Sequence, residues 1–406
     1  MKQYWLVLYP HVFLWVKKQK GLVYNSDNYK LIHFHNEGLL TVLVDKLLQI
    51  DNLYRVTIDT SFLSNEIVES WVNDLLVAEC ALLIECNGIN NCPVSLKPEL
   101  KVQDSIDAYR RMHDEKTGLP IMSNLHKLVF HINGSLFGND DYSEQVIYPR
   151  TGTMHLSVDE ICSFINSFGD TSFLSEIVLV GCLWEFPNYT SLILFLRELG
   201  VVIAVYCTEA DFLCYGYSKL ESDIIYHICI TDSEFEYCQP LADVSRNYNI
   251  HIDFIVTSII EYEYANELIE RYQFSDNSRI YPVYTGENQN FLRDNLYLNE
   301  QDFEEICLTK REIFANQVIN SNFFGVFTVL SNGTVFSGNM QFKIGTIQDD
   351  LYSLVYCEII SENSWFYIRN QKPCIDCVYQ YLCPSPSTYE RVIGEPNLCH
   401  IKSSAL

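Results

Sequence analysis

Positive charge is what this sequence has least of. Its 406 residues hold 27 Lys and Arg against 52 Asp and Glu, a formal net charge of −25. A surface that negative repels phosphate backbones and anionic lipid, which disfavours nucleic acid and membrane surfaces as partners. A basic or neutral peptide suits it better. A membrane span is lacking too, since no uninterrupted apolar run reaches the roughly 20 residues that a bilayer-crossing helix needs. Met1-Lys2, the apolar stretch behind it and Lys17-Lys18 imitate a signal sequence, but Pro10-His11 interrupts the stretch and no small-residue cleavage site follows. The chain is expected in the cytoplasm, where its 15 cysteines serve as thiols or metal ligands rather than disulfides. Internal repeats, low-complexity segments, a P-loop, a GxGxxG turn and a Ser-His-Asp elbow are absent as well.

What is present falls into three stretches. In residues 4–34 four apolar runs (Tyr4–Leu8, Val12–Val16, Leu22–Tyr24 and Leu31–Phe34) alternate with turn signals, which predicts a small antiparallel meander. Helical spacing follows over 37–50 and again over 65–77, the latter with Ile67, Val68, Trp71, Leu75 and Leu76 on one face. Strands followed by short helices predict a winged-helix-like domain over residues 1–105. The charged stretch from Leu100 to Pro120 is read as a linker. Beyond it, six apolar runs (Leu128–Ile132, Ile177–Val180, Val201–Val205, Ile224–Ile230, His251–Val256 and Ile280–Tyr284) are separated by helical patterns, one of which stops at Gly200. The fold class is therefore α/β, with a parallel sheet of repeated βα units forming an open or partial (β/α)6 barrel over 120–310. In such sheets the chemistry sits on loops after the strand C-termini. Asn332-Gly333, set between Phe324–Leu330 and Thr334–Phe336, marks a hairpin that opens a third domain over 320–406.

That last domain carries the densest chemistry. Cys374, Cys377, Cys383 and Cys399 are spaced C-x2-C-x5-C-x15-C. Thiolates at such spacing bind zinc or an iron–sulfur cluster, although a lone C-x2-C with distant single partners is less zinc-like than two paired knuckles. The bland alternative is a pair of buried small residues. Cys80, Cys86 and Cys92 have apolar neighbours and are read as core thiols, as are Cys162, Cys182, Cys207 and Cys229. Glu185 and Asp253 are candidate acid–base residues, outweighed by the solvated carboxylates common in an acidic chain. His131 is expected to be a satisfied core residue. Trp184 and Phe186 either hold a peptide side chain at the barrel mouth or pack in the core, and His400 is a spare ligand beside Cys399.

The cysteine tail resembles the SPASM domain that follows the barrel in peptide-modifying radical SAM enzymes, whose motif is C-x2-C-x5-C-x3-C-x(n)-C. The resemblance implies that Cys374, Cys377, Cys383 and Cys399 hold one auxiliary [4Fe-4S] cluster, with zinc as the alternative. The cysteine expected four residues after Cys383 is Ser387, and Asn332–Gly338 lacks the cysteine of the family's hairpin, so a second cluster site is erased. Ile344-Gly345-Thr346-Ile347 matches a further family segment. The C-x3-C-x2-C that binds the reactive cluster occurs nowhere; after the first barrel strand the chain reads Asn133-Gly134-Ser135-Leu136-Phe137-Gly138-Asn139-Asp140. Gly181–Pro187 is a damaged copy of the family's Gly-Gly-Glu-Pro. The chain thus resembles a pseudo-radical-SAM protein of the GG-Bacteroidales type of ribosomal-peptide maturation system, with no S-adenosylmethionine expected.

The same resemblance gives the N-terminal domain a precursor-recognition role. It implies that a leader peptide adds as a strand beside Leu31, Ile32, His33 and Phe34 and lies against the helix carrying Ile67 and Trp71, exploiting the unpaired groups of a sheet edge. An ordinary wing packed on the barrel is the plain alternative. Two functions follow as expectations: a non-catalytic protein that binds the precursor and supports its processing, with a partner maturation enzyme, or a peptide-modifying enzyme that uses non-radical chemistry on a reused barrel.

Overall fold

The computed structural model describes residues 2–86, 93–134, 142–150, 152–216, 218–231, 238–274, 276–338, 340 and 342–401. Six strands build the N-terminal part: β1 (Gln3–Leu8), β2 (Val12–Lys17), β3 (Lys20–Asn25), β4 (Leu31–His35), β5 (Arg55–Asp59) and β6 (Ala81–Glu85). They form two three-stranded sheets, β5-β1-β6 and β2-β3-β4, both antiparallel. The expected four-run meander is therefore corrected: β1 leaves it to pair with β5 and β6. Alternation predicts strand character but is blind to partner choice. Helices Gly38–Leu48 and Glu66–Val77 bury Leu40, Leu43, Val44, Leu47, Val68, Trp71, Val72 and Leu75 between the sheets. Ile67, expected on that buried face, is 46% exposed.

The β2-β3-β4 sheet is covered on both faces. Val12, Leu14, Val23 and Ile32 face the helices, whereas Phe13, Leu22 and Tyr24 face Phe303, Ile313, Val378, Tyr379 and Leu382. The sheet thus packs on the cysteine tail and the segment before it. Gly21 makes room for the Phe34 ring on the opposite, helix-covered face, where the ring lies 2.0 Å from where a Cβ would stand.

The central sheet runs through β7 (Lys127–His131), β8 (Glu176–Val180), β9 (Val202–Thr208), β10 (Ile224–Ile230), β11 (Ile250–Val256), β12 (Ser278–Pro282), β13 (Val326–Val329), β14 (Thr334–Ser337) and β15 (Phe342–Thr346). Its order is β12-β11-β10-β9-β8-β7-β13-β14-β15, with β7 to β12 parallel neighbours in chain order. The six expected strands are all here. Helix Tyr189–Leu199 ends at Gly200, which takes the left-handed conformation that glycine adopts most easily. One sheet face packs on the helices; the other carries Val129, Val178, Val180, Ala204, Tyr206 and Cys229 beneath Ile147 and Tyr148.

Two boundaries differ from expectation. The supposed linker contains helices Ile106–Asp114 and Gly118–Met122, with Tyr109, Ile121 and Met122 in the central core and His113 stacked 3.9 Å from Tyr356. A short helix can be polar in composition yet bury one side. The hairpin, in turn, is no separate module, because β13 pairs in parallel with β7 and extends the central sheet.

The Tyr24 hydroxyl donates to the Leu308 carbonyl at 2.9 Å and accepts from the Leu308 amide at 2.8 Å. Tyr24→Phe leaves both groups without that partner and is expected to lower stability by about 1–3 kcal/mol, measured by urea unfolding followed through tryptophan fluorescence.

Candidate functional site

Two sites meet at the β2-β3-β4 sheet. The first is the β4 edge. Among the described residues β4 pairs only with β3, so one row of its backbone groups is unpaired by any strand. Beside it opens a groove of about 810 Å³ lined by residues 28–33, Asp74, Val77, Ala78 and residues 304–307. Asp74, Glu304 and Glu305 are exposed and make its walls acidic, with Lys30 the basic group among its lining residues. Leu31, Ile32 and His33 line this groove. Phe34 does not; its ring lies 5.3 Å from the Trp71 ring, inside the N-terminal core. Trp71 is 3% exposed, its indole nitrogen has no partner among the described residues, and neither it nor Ile67 lines the groove. The helix contributes its C-terminal end instead. The wall at 304–307 escaped sequence reasoning because nothing local ties it to a strand some 270 positions earlier.

The second site is the cysteine pocket. Cys374, Cys377, Cys383 and Cys399 line one cavity of about 30 Å³ with Phe303, Arg369, Tyr379 and Gln380. These are the four cysteines that the C-x2-C-x5-C-x15-C spacing singles out. Burial raises the pKa of Cys374 and Cys377 and pushes Cys383 up to about 12, while the Arg369 guanidinium opposes the rise at Cys374 and Cys383. Arg369 is itself buried; it donates to Glu390 at 2.7 Å and to the Cys374 sulfur at 3.9 Å. Asn397 donates to Cys399 at 2.9 Å. His400 turns away, its ring nitrogen 3.0 Å from the Arg293 carbonyl.

Ser387, standing where a further family cysteine is expected, has a structural task. It is the N-cap of helix Thr388–Ile393, and its amide donates to Glu390 at 2.8 Å. Glu390 therefore ties the cap to Arg369 and so to the pocket.

A soft, thiol-rich pocket with one buried cation suits a metal centre. Among the described residues, no three His, Cys, Asp or Glu groups converge tightly enough to hold a single ion. A zinc ion would therefore draw the thiols together. A four-iron cluster, taking one thiolate at each iron, would widen the cavity. Either centre shifts the pocket walls.

At the C-terminal ends of the parallel strands lies a crevice of about 520 Å³ lined by Asn133, Arg150, His155, Cys182, Glu185 and Asp211 among others. Residues 135–140 of the cysteine-free loop fall outside the described residues, as does Cys92. Asn133 bridges two strand ends, donating to the Cys182 carbonyl at 2.9 Å and accepting from its amide at 3.1 Å. Glu185 is exposed and holds the Tyr215 hydroxyl, whose pKa it pushes up to about 12. Trp184 and Phe186 are buried in the central core, stacked and packed rather than open to a ligand. His131 is buried as expected but not satisfied: Nδ1 has no partner among the described residues, and burial drives its pKa down to about 3, leaving it neutral. Asp253 is not a solvated carboxylate. It is 2% exposed, its Oδ2 lies 2.9 Å from His227 Nδ1, and its Oδ1 has no partner among the described residues. Tyr206 stacks on His227 with ring centroids 4.1 Å apart.

No protein-family model matches this chain, and no curated protein matches it in sequence. Among solved structures it is similar to Streptococcus suis SuiB. For SuiB bound to precursor peptide SuiA the identity is 12%, with 100% of both chains covered and a TM-score of 0.42. For SuiB alone the identity is 13%, with 98% of this chain and 100% of that chain covered and a TM-score of 0.43. For SuiB bound to S-adenosylmethionine the identity is 12%, with 99% and 100% covered and a TM-score of 0.38.

The buried thiols make a pH prediction. Cys383 ionises at 9.0 when free and at about 12 when folded, so its contribution to stability is complete below pH 9 and lost as pH climbs toward 12. Metal-free protein is expected to lose thermal stability over that window. Loading with zinc, or with iron and sulfide, is expected to release protons and remove the decline. Melting curves from pH 7 to pH 11, with and without metal, measure both effects.

Proposed function

We propose that this chain is a non-catalytic protein of a ribosomal-peptide maturation system, which captures a precursor peptide as an added strand on the β4 edge. The observation that supports this is the unpaired β4 edge beside a long groove with acidic walls. Main-chain hydrogen bonds to an edge strand hold an extended peptide with little demand on its sequence. Asp74, Glu304 and Glu305 favour a peptide with basic residues. Cys374, Cys377, Cys383 and Cys399 hold one metal centre, a [4Fe-4S] cluster on the SPASM resemblance, with zinc as the alternative. That centre pins the tail on which the recognition sheet rests. The protein works in the cytoplasm, where free thiols persist, and passes the bound precursor to a partner maturation enzyme.

The absence of C-x3-C-x2-C supports a lack of radical chemistry. Anaerobically reconstituted and reduced protein is expected to release no 5′-deoxyadenosine from S-adenosylmethionine; release above background contradicts this part of the proposal.

One observation favours the second function, a non-radical peptide-modifying enzyme: the buried Asp253–His227 pair, whose second carboxylate oxygen has no partner among the described residues. A positioned His–Asp pair can serve as a general base. Mass spectrometry of a precursor after incubation separates the two, because a mass change that disappears in His227→Gln supports an enzyme.

Binding is tested with fluorescein-labelled synthetic peptides of alternating apolar and lysine residues. Glu304→Lys with Glu305→Lys alters only exposed wall residues. It is expected to weaken the bound peptide by about tenfold or more at low salt, with a smaller effect at high salt. Failure of every peptide to bind, or binding indifferent to the groove charges, removes the groove from the account.

A further inference from the structure

The two sites adjoin, although no residue lines both. Phe303 is 1% exposed, lines the cysteine cavity and stacks on Tyr379 at 4.3 Å, and the next residues, 304–307, form one wall of the β4 groove. Tyr379 also lines the cavity; its hydroxyl lies 3.5 Å from the ring of His33, which lines the groove. A third connection runs through Cys399. Leu298 and Cys399 form a β-bridge, with the Leu298 amide donating to the Leu398 carbonyl at 3.0 Å and the His400 amide to the Leu298 carbonyl at 2.8 Å. Asn299 then caps helix Glu300–Glu304, so any displacement of Cys399 reaches the groove wall through one short helix.

We infer that occupancy of the cysteine pocket controls the affinity of the β4 groove for an extended peptide. The inference rests on the peptide and metal readings above. Among the described residues no three metal-ligating groups converge tightly enough to hold a single ion, so a metal centre cannot bind without moving the thiols and the residues beside them. Once bound, it joins four separated points of the chain, residues 374, 377, 383 and 399. That fixes Tyr379 behind β4 and the 298–303 segment behind the wall. A peptide that docks against ordered walls need not supply their ordering cost, and binding is correspondingly tighter. The coupling is reciprocal: bound peptide also holds the metal more firmly.

The experiment uses the full chain in two forms, one loaded anaerobically with ferrous iron and sulfide and the other stripped with chelator under reducing conditions. Affinity for the same labelled lysine-bearing peptides is read by fluorescence anisotropy, and amide hydrogen exchange is followed over 28–35, 300–307 and helix Gly38–Leu48. The loaded form is expected to bind about tenfold more tightly, with slower exchange at 28–35 and 300–307 and little change in the helix. Equal affinity in the two forms overturns the coupling while leaving the peptide reading intact. No binding in either form overturns the peptide reading and the coupling with it. Should the stripped chain unfold, Phe303→Leu with a full metal complement provides the second test. Loss of its stacking on Tyr379 is expected to weaken binding about threefold or more, and unchanged affinity in that variant overturns the inference.

Discussion

The apolar contact between the β2-β3-β4 sheet and the cysteine tail is the constraint on which the rest depends. Phe13, Leu22 and Tyr24 are on one side, and Phe303, Val378, Tyr379 and Leu382 are on the other. With its second face closed by the N-terminal helices, the sheet has only its edges left to offer a partner. The same contact places the thiols behind the β2-β3-β4 sheet. A protein built from separate modules would let the tail act alone; this one makes the tail part of the floor beneath β4.

Electrostatics reinforces that arrangement. The acidic surface keeps anions away, and the groove walls repeat its sign with Asp74, Glu304 and Glu305. Inside the tail the sign is reversed locally. Arg369 is buried against Glu390 and beside Cys374 and Cys383, and breaking such a buried pair by removing one partner typically costs about 3–5 kcal/mol. Ser387 belongs to the same network through Glu390. A cysteine at this position would lose the oxygen acceptor and donor that close the helix cap. Its presence is thus coherent with one cysteine pocket rather than two.

Much of this fold was legible from periodicity. The six parallel strands are continuous apolar runs because both faces of the sheet are covered, and Gly200 marked a helix end because it adopts a left-handed backbone. Partner choice was not legible: β1 looked like the first strand of a meander and pairs instead with β5 and β6, whose short runs gave no signal of their own. Residues 100–120 read as linker because charge dominates their composition, although helices Ile106–Asp114 and Gly118–Met122 anchor Tyr109, Ile121 and Met122 in the core. For the sites, the four spaced cysteines line one cavity, and β4 pairs only with β3 among the described residues. Trp71 was misread as a groove residue. An aromatic on an amphipathic helix is more often core than contact surface, and here it supports Phe34 from beneath. His227 and Asp253 were invisible as a pair, since they come from neighbouring parallel strands.

The central claim is that a peptide lies along the β4 edge rather than in the crevice at the ends of the parallel strands. Photo-cross-linking tests it most directly, with benzoylphenylalanine placed either at Tyr29, which lines the groove, or at Glu185, which lines the crevice. The account predicts that a bound lysine-bearing peptide is captured from position 29 and not from position 185, as mapped by mass spectrometry of the adducts. Capture from position 185 alone contradicts it.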